Sequence, residues 1–280
     1  MFALPPPSPA PFFVDVDSAV PARGSALLLH GYTGSPFEVL TTAHALARRG
    51  FSGTGPLLSG HGCDPALLNQ VRWPQWLSDV VTAFDALPTT GPRVVVGCSM
   101  GGLLALHLSL VRPVAALVLL APALRFHPVG YAGVAALAAG LWRVRPFFPK
   151  EGPGGDVGAL DAQQCNPTYK LLPSRGLVEL WRLQVATEAL LARVSAPVCL
   201  LHGVKDNTIP PSSSSIIARS VSSSVVEDHR LMRTQHLVAL DVERDLANQL
   251  ACDFVDSVVA GAASPRVRVV SPHQRQAGRP

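Results

Sequence analysis

Short valine and leucine runs recur along the chain, separated by longer stretches in which apolar residues return every three or four positions. The runs at 26–29, 93–96, 115–120 and 198–202 have no polar alternation, which predicts strands buried on both faces; 225–231 is a further strand candidate. The segments 36–49, 73–87, 101–110 and 243–259 carry the helical period. Strands alternating with crossover helices predict a mostly parallel, doubly wound α/β sheet, with its site at the carboxyl ends of the strands.

One interval breaks this rhythm. About seventy residues separate the strand ending near Ala121 from the one beginning near Pro197, too long for a structureless loop inside a compact domain. The interval holds helical candidates at 131–144 and 176–193, separated by the Gly/Pro-rich 149–158. It reads as a cap insertion over the site. The predicted organisation is a Pro-rich arm at 1–23, pinned in part by Phe12 and Phe13, a core at 24–123 and 194–260, a cap at 124–193, and a disordered basic tail at 261–280.

Composition narrows the function classes. Of the 280 residues, 48% are hydrophobic and 15% charged, enough apolar surface for a sizeable core. The net charge of +4 comes from Arg266, Arg268, Arg275 and Arg279 in the tail; without those four, 19 basic residues face 19 acidic ones. A neutral body offers no basic face for nucleic acid. The five cysteines, an odd number without C-x-x-C spacing, suggest neither disulfides nor a metal site and fit reduced thiols in a cytoplasmic protein. The opening MFALPPPSPAPFF makes a poor signal peptide. The longest apolar stretch, 113–124, is shorter than the roughly 20 residues of a membrane helix, so no stable membrane insertion is expected. The pattern specifies no oligomeric state.

Candidate chemistry centres on Gly97-Cys98-Ser99-Met100-Gly101, which follows a strand run and opens a helix. In that context G-x-S-x-G is a nucleophile elbow, with Gly97 and Gly101 leaving room for a strained Ser99. A serine hydroxyl needs a base, and the base needs an acid to orient it. In this fold the chain order is Ser, acid, His. Asp206 lies just beyond the 198–202 strand and His236 just before the last helix, which makes them the acid and the base. Asp228, His229 and Asp241 are the rivals; the first two fall within or at the end of a strand candidate, where alternate side chains enter packed faces. His44, His107 and His127 read as helix-face or cap residues and His273 as tail. Oxyanion donors are expected from the backbone N–H groups of Met100 and of Tyr32, the latter in the Gly-rich loop after the first strand run. A histidine base implies activity rising with pH through an apparent pKa of about 6 to 7.

Together, HGYTGSP, the GHG at 60–62, GCSMGG, LHGVKD-NTIP and QHLVALDVER resemble the bacterial carboxylesterase and monoacylglycerol lipase group of α/β-hydrolases, over about residues 12 to 258. The resemblance implies hydrolysis of short to medium acyl monoesters or monoacylglycerols, through an acyl-enzyme and without a cofactor, beneath a small helical cap. By position Ser99, Asp206 and His236 match the family's triad, and Tyr32 and Met100 its oxyanion positions. The chain departs from its relatives at Cys98 and Gln235, and His61 of the GHG turn reads as structural. Cap aromatics Trp142, Phe147 and Phe148 are candidates for an acyl pocket. Thioesterase, acyltransferase and amidase chemistry use the same triad, and a non-catalytic binding protein on the same scaffold is the remaining alternative.

Overall fold

The computed structural model describes residues 4–150, 152, 154–262 and 268–270. In chain order the core begins with β1 (Phe12–Val14), β2 (Gly24–Leu29), α1 (Phe37–Ala47), β3 (Phe51–Gly55), α2 (Pro65–Leu68), α3 (Trp73–Asp85), β4 (Arg93–Cys98), α4 (Met100–Leu108) and β5 (Ala116–Leu120). An intervening segment carries α5 (Pro128–Ala138), β6 (Phe147–Pro149), α6 (Leu160–Cys165), β7 (Leu171–Pro173) and α7 (Ser174–Leu190). The core resumes with β8 (Val198–Gly203), α8 (Ser212–Ser220), β9 (Val226–Leu231), α9 (Arg244–Val259) and β10 (Arg268–Val270).

Among the described residues, eight strands form one sheet in the order β1-β3-β2-β4-β5-β8-β9-β10, parallel throughout except for the antiparallel β1–β3 pair. The unbroken apolar runs are explained by two cores. Ala26, Leu28, Val94, Val96, Val118 and Leu120 face the side covered by α1 and α9, whereas Leu27, Leu29, Val95, Leu117 and Leu119 face α3, α4 and α8. Alternate residues enter opposite layers, so both sets must be apolar.

The sequence pattern misses β3, whose FSGTG lacks a β-branched apolar run. Its small residues serve close packing: a Cβ at Gly53 would stand 3.0 Å from Ala43 Cβ on α1, and one at Gly55 would meet the Phe12 ring at 2.3 Å. Phe12 thereby anchors an edge strand where an extended arm was expected. At the other end, 268–270 pairs in parallel with β9 where disorder was predicted; residues 263–267 and 271–280, also expected to be disordered, lie outside the described residues.

Within the segment between β5 and β8, the helix expected over 131–144 ends at Ala138 because Gly140, at φ 119°, turns the chain into a 3-10 turn. β6 and β7 form a small antiparallel ribbon that local pattern did not reveal.

Candidate active site

Ser99 stands between β4 and α4 at φ 53°, a region costly for any residue with a Cβ. The flanking glycines make this turn possible. A Cβ at Gly97 would sit 2.4 Å from Gly101 O, and one at Gly101 would sit 2.4 Å from Leu29 O. The backbone of the loop after β2 comes as close: a Cβ at Gly31 would lie 3.1 Å from Ser99 Cβ. This places the Gly31–Tyr32 backbone, and Met100 N–H at the start of α4, beside Ser99.

Asp206 follows β8. Its Oδ1 accepts from Thr208 N (2.9 Å) and Ile209 N (2.7 Å), and its Oδ2 lies 2.8 Å from His236 Nδ1 and 3.0 Å from His202 Nε2. Burial pushes the Asp206 carboxyl up, but His236 and His202 more than offset this and hold it well below the ordinary carboxylate range. An ionised Asp206 can only accept, so His236 Nδ1 donates and Nε2 of the neutral ring is left as an acceptor. For His236, burial works downward. The Asp206 charge and hydrogen bond, helped by Asp156 and Glu38, prevail and raise its pKa above the ordinary 6.5.

Ser99 and His236 line one cavity of about 250 Å³, together with Gly31, Tyr32, Thr33, Glu38, Lys150, Asp156 and Thr208. Phe126, Val134, Leu172, Leu177, Leu180, Ile209 and Leu237 supply its apolar lining.

A family model described as serine aminopeptidase, S33, matches residues 20–243. The chain belongs to this family and is a serine ester hydrolase. The hydrolase is 28% identical over 233 residues to a thermostable monoacylglycerol lipase of Bacillus sp. (strain H-257), covering 81% of this chain and 88% of the relative. It is 25% identical over 256 residues to a carboxylesterase of Bacillus subtilis (strain 168), covering 90% and 98%. Among solved structures, a metagenome-derived lipolytic enzyme superposes with a TM-score of 0.79 at 27% identity, over 90% of this chain and 98% of that one.

The hydrolase uses the rival residues elsewhere. Asp228 pairs with Arg230 (2.5 Å), and His229 Nε2 meets Glu227 Oε2 at 2.8 Å. Asp241 accepts from the backbone N–H groups of Gly158, Ala159, Gln235 and Val242, tying the His236 loop to the segment before α6. His61 is buried against the His30 ring, 4.8 Å between centroids, and accounts for no part of the cavity lining.

The aromatic pocket candidates require correction, because Trp142, Phe147 and Phe148 do not line the cavity. Trp142 lies under the guanidinium groups of Arg143 and Arg175, Phe148 lies under Arg145, and Phe147 is held in the β6–β7 ribbon. Aliphatic residues of α5, β7 and α7 take their place. Sequence reasoning also missed His202, the second imidazole on Asp206, whose Nδ1 meets Ser214 Oγ at 2.7 Å. Its four-residue spacing from Asp206 across a strand end was the available signal.

Glu38 was missed as well. Its Oε2 accepts from Gly31 N at 2.8 Å, bracing the loop that carries Tyr32; burial raises its pKa against the Gly31 bond and the charges of Lys150 and His236. By donor type, one group among the described residues could hold a cation: Cys199, Glu227 and His229, with donor atoms within 4.8 Å of one another. None of the three lines the cavity.

Proposed function

We propose that the hydrolase is a carboxylesterase for short to medium acyl monoesters or monoacylglycerols, with Ser99 as nucleophile, His236 as base and Asp206 as the acid orienting it. The observation that carries this reading is the Asp206–His236 hydrogen bond of 2.8 Å, with His236 and the strained Ser99 lining the same cavity. Ser99 Oγ attacks the ester carbonyl carbon as its proton passes to His236 Nε2. The tetrahedral oxyanion is held by Tyr32 and Met100 N–H, a role typically worth 10² to 10³ in rate per donor. His236 then protonates the departing alkoxide, leaving an acyl-enzyme. Water attacks that ester and gives its proton to Nε2, and His236 returns the proton to Ser99 Oγ as the carboxylic acid is released.

The cavity supports this substrate class by size and polarity. It falls just below the roughly 300–1,000 Å³ of ordinary ligand sites, which suits a monoester. The apolar lining fits the acyl chain, and Thr33, Thr208, Asp156, Glu38 and Lys150 fit a hydroxylated alcohol such as glycerol. The free cysteines, Cys63, Cys98, Cys165, Cys199 and Cys252, support a cytoplasmic setting. No helix among the described residues is long and apolar enough to cross a membrane. The test is a hydrolysis panel of p-nitrophenyl, thio- and glyceryl esters from C2 to C16, beside Ser99→Ala. Oxygen esters of medium chain should be cleaved best, and Ser99→Ala should be silent. Turnover confined to thioesters, or surviving in Ser99→Ala, would overturn the reading.

A further inference from the structure

The Gly/Pro-rich stretch 149–158 only separates two cap helix candidates in the sequence pattern, yet Lys150 and Asp156 within it touch three of the loops that build the site. At its start, Lys150 Nζ donates to Thr33 Oγ1 (3.0 Å) and Thr168 Oγ1 (2.7 Å). Thr33 follows Tyr32, holds φ 65°, and its carbonyl accepts from Thr168 Oγ1 (3.0 Å) and Tyr169 N (3.1 Å). The cap thus clamps the oxyanion loop at its strained residue.

Asp156 grips the other two loops. Its carboxylate Oδ2 accepts from Asn207 N (2.9 Å), Thr208 N (3.0 Å) and Thr208 Oγ1 (2.9 Å), immediately after Asp206. Its backbone carbonyl accepts from His236 N (3.1 Å) and Leu237 N (3.2 Å). One residue therefore spans the acid loop and the histidine loop, thirty residues apart in the chain. Gly155 before it takes φ 93°, which any Cβ would strain. Asp156 also lines the Ser99 cavity.

We propose that Asp156 is a positioning residue of the triad: it locks Asp206 to His236 through both loop backbones, and its carboxylate supports the imidazolium that forms on His236 during acyl transfer. The inference rests on the triad reading given above. The charged groups bearing on His236 are Asp206, Asp156 and Glu38, with Lys150 facing Glu38 and Asp156, and His202 behind Asp206. Asp156 is the member supplied by the cap. Triad alignment tolerates little error, since a displacement of about 1 Å can cost roughly a hundredfold in rate.

The two functions of Asp156 separate by substitution. Asp156→Asn can keep an oxygen toward Asn207 N and Thr208 but loses the charge, so the acid limb of kcat/KM should move to lower pH. Asp156→Ala also loses the side-chain hold on Asn207 and Thr208 while keeping the carbonyl bonds to 236–237, and kcat should fall by about ten- to a hundredfold with KM within about twofold. Each is assayed on p-nitrophenyl butyrate across pH, with thermal melts and the rate of Ser99 labelling by a fluorophosphonate. If Asp156→Ala does not fold, Asp156→Asn decides by its acid limb. An unmoved acid limb in Asp156→Asn, or a loss confined to KM or to melting temperature, overturns the proposal. Wild-type protein that fails to label at Ser99 instead overturns the triad reading and this inference with it, whereas a labelled wild type with unaltered variants sinks the inference alone.

Discussion

At the scale of single residues, the site depends on which hydrogen-bonding capacities remain after each group has met its neighbours. The Asp206 carboxylate meets Thr208 N, Ile209 N and the His236 and His202 rings, so it stays ionised and fixes the His236 tautomer. Removing Ser99 or His236 by alanine should lower kcat by about 10⁶, and removing Asp206 by about 10⁴, by comparison with a dissected serine triad. His229→Ala should leave turnover near wild type, because His229 bonds Glu227 outside the cavity. Rate measurements on purified variants check both. As the proposed base, His236 would have to be neutral to take the Ser99 proton, and its pKa is raised above 6.5, chiefly by Asp206 against burial. The acid limb of kcat/KM should therefore lie above 6.5, the ordinary histidine value. A pH profile taken with chemistry limiting would show a limb at or below that value if the raising charges were ineffective.

At the scale of elements, the elbow is the part most completely written in sequence. Gly97, Ser99 and Gly101 sit between an unbroken valine run and a helix, and the structure places backbone atoms where side chains at 97 and 101 would be. Gly101→Ala should lower stability by about 1–3 kcal/mol and cut activity further, because relief of the collision must shift β2 or the Ser99 turn. Chemical denaturation and the fluorophosphonate labelling rate measure these two effects separately. Other elements were illegible for reasons of their own. β3 hides in FSGTG because its partners demand small residues, not apolar ones. The β6–β7 ribbon leaves little pattern in three-residue strands. The cap aromatics mislead because size suggests a pocket, whereas Trp142 and Phe148 are consumed by arginine guanidiniums on the cap itself. Glu38 and His202 escaped because their partners, Gly31 and Asp206, lie seven and four residues away across turns whose fold-back local periodicity does not reveal.

At the scale of the whole molecule, substrate choice follows from one cavity shared by core and cap. Each buried methylene contributes about 0.8 kcal/mol, so lengthening the acyl chain from C2 to C6 should raise kcat/KM by roughly two orders of magnitude until the apolar lining is filled. Leu177→Trp should move the optimum toward shorter chains, since Leu177 lines the cavity, whereas Trp142→Ala should lower the melting temperature and leave the optimum in place. An ester panel on both variants discriminates. The cap's attachments also bear on how such enzymes can be recombined. Lys150 holds the oxyanion loop, Asp156 holds the loops of Asp206 and His236, and Tyr32 hydroxyl donates to Pro173 O on β7. A chimera that imports another relative's cap as a self-contained specificity module would carry foreign residues into these joints. Such grafts should lose turnover on every ester alike unless the matching positions at 33, 207–208 and 236–237 travel with the cap, so that what recombines is a cap together with its loops.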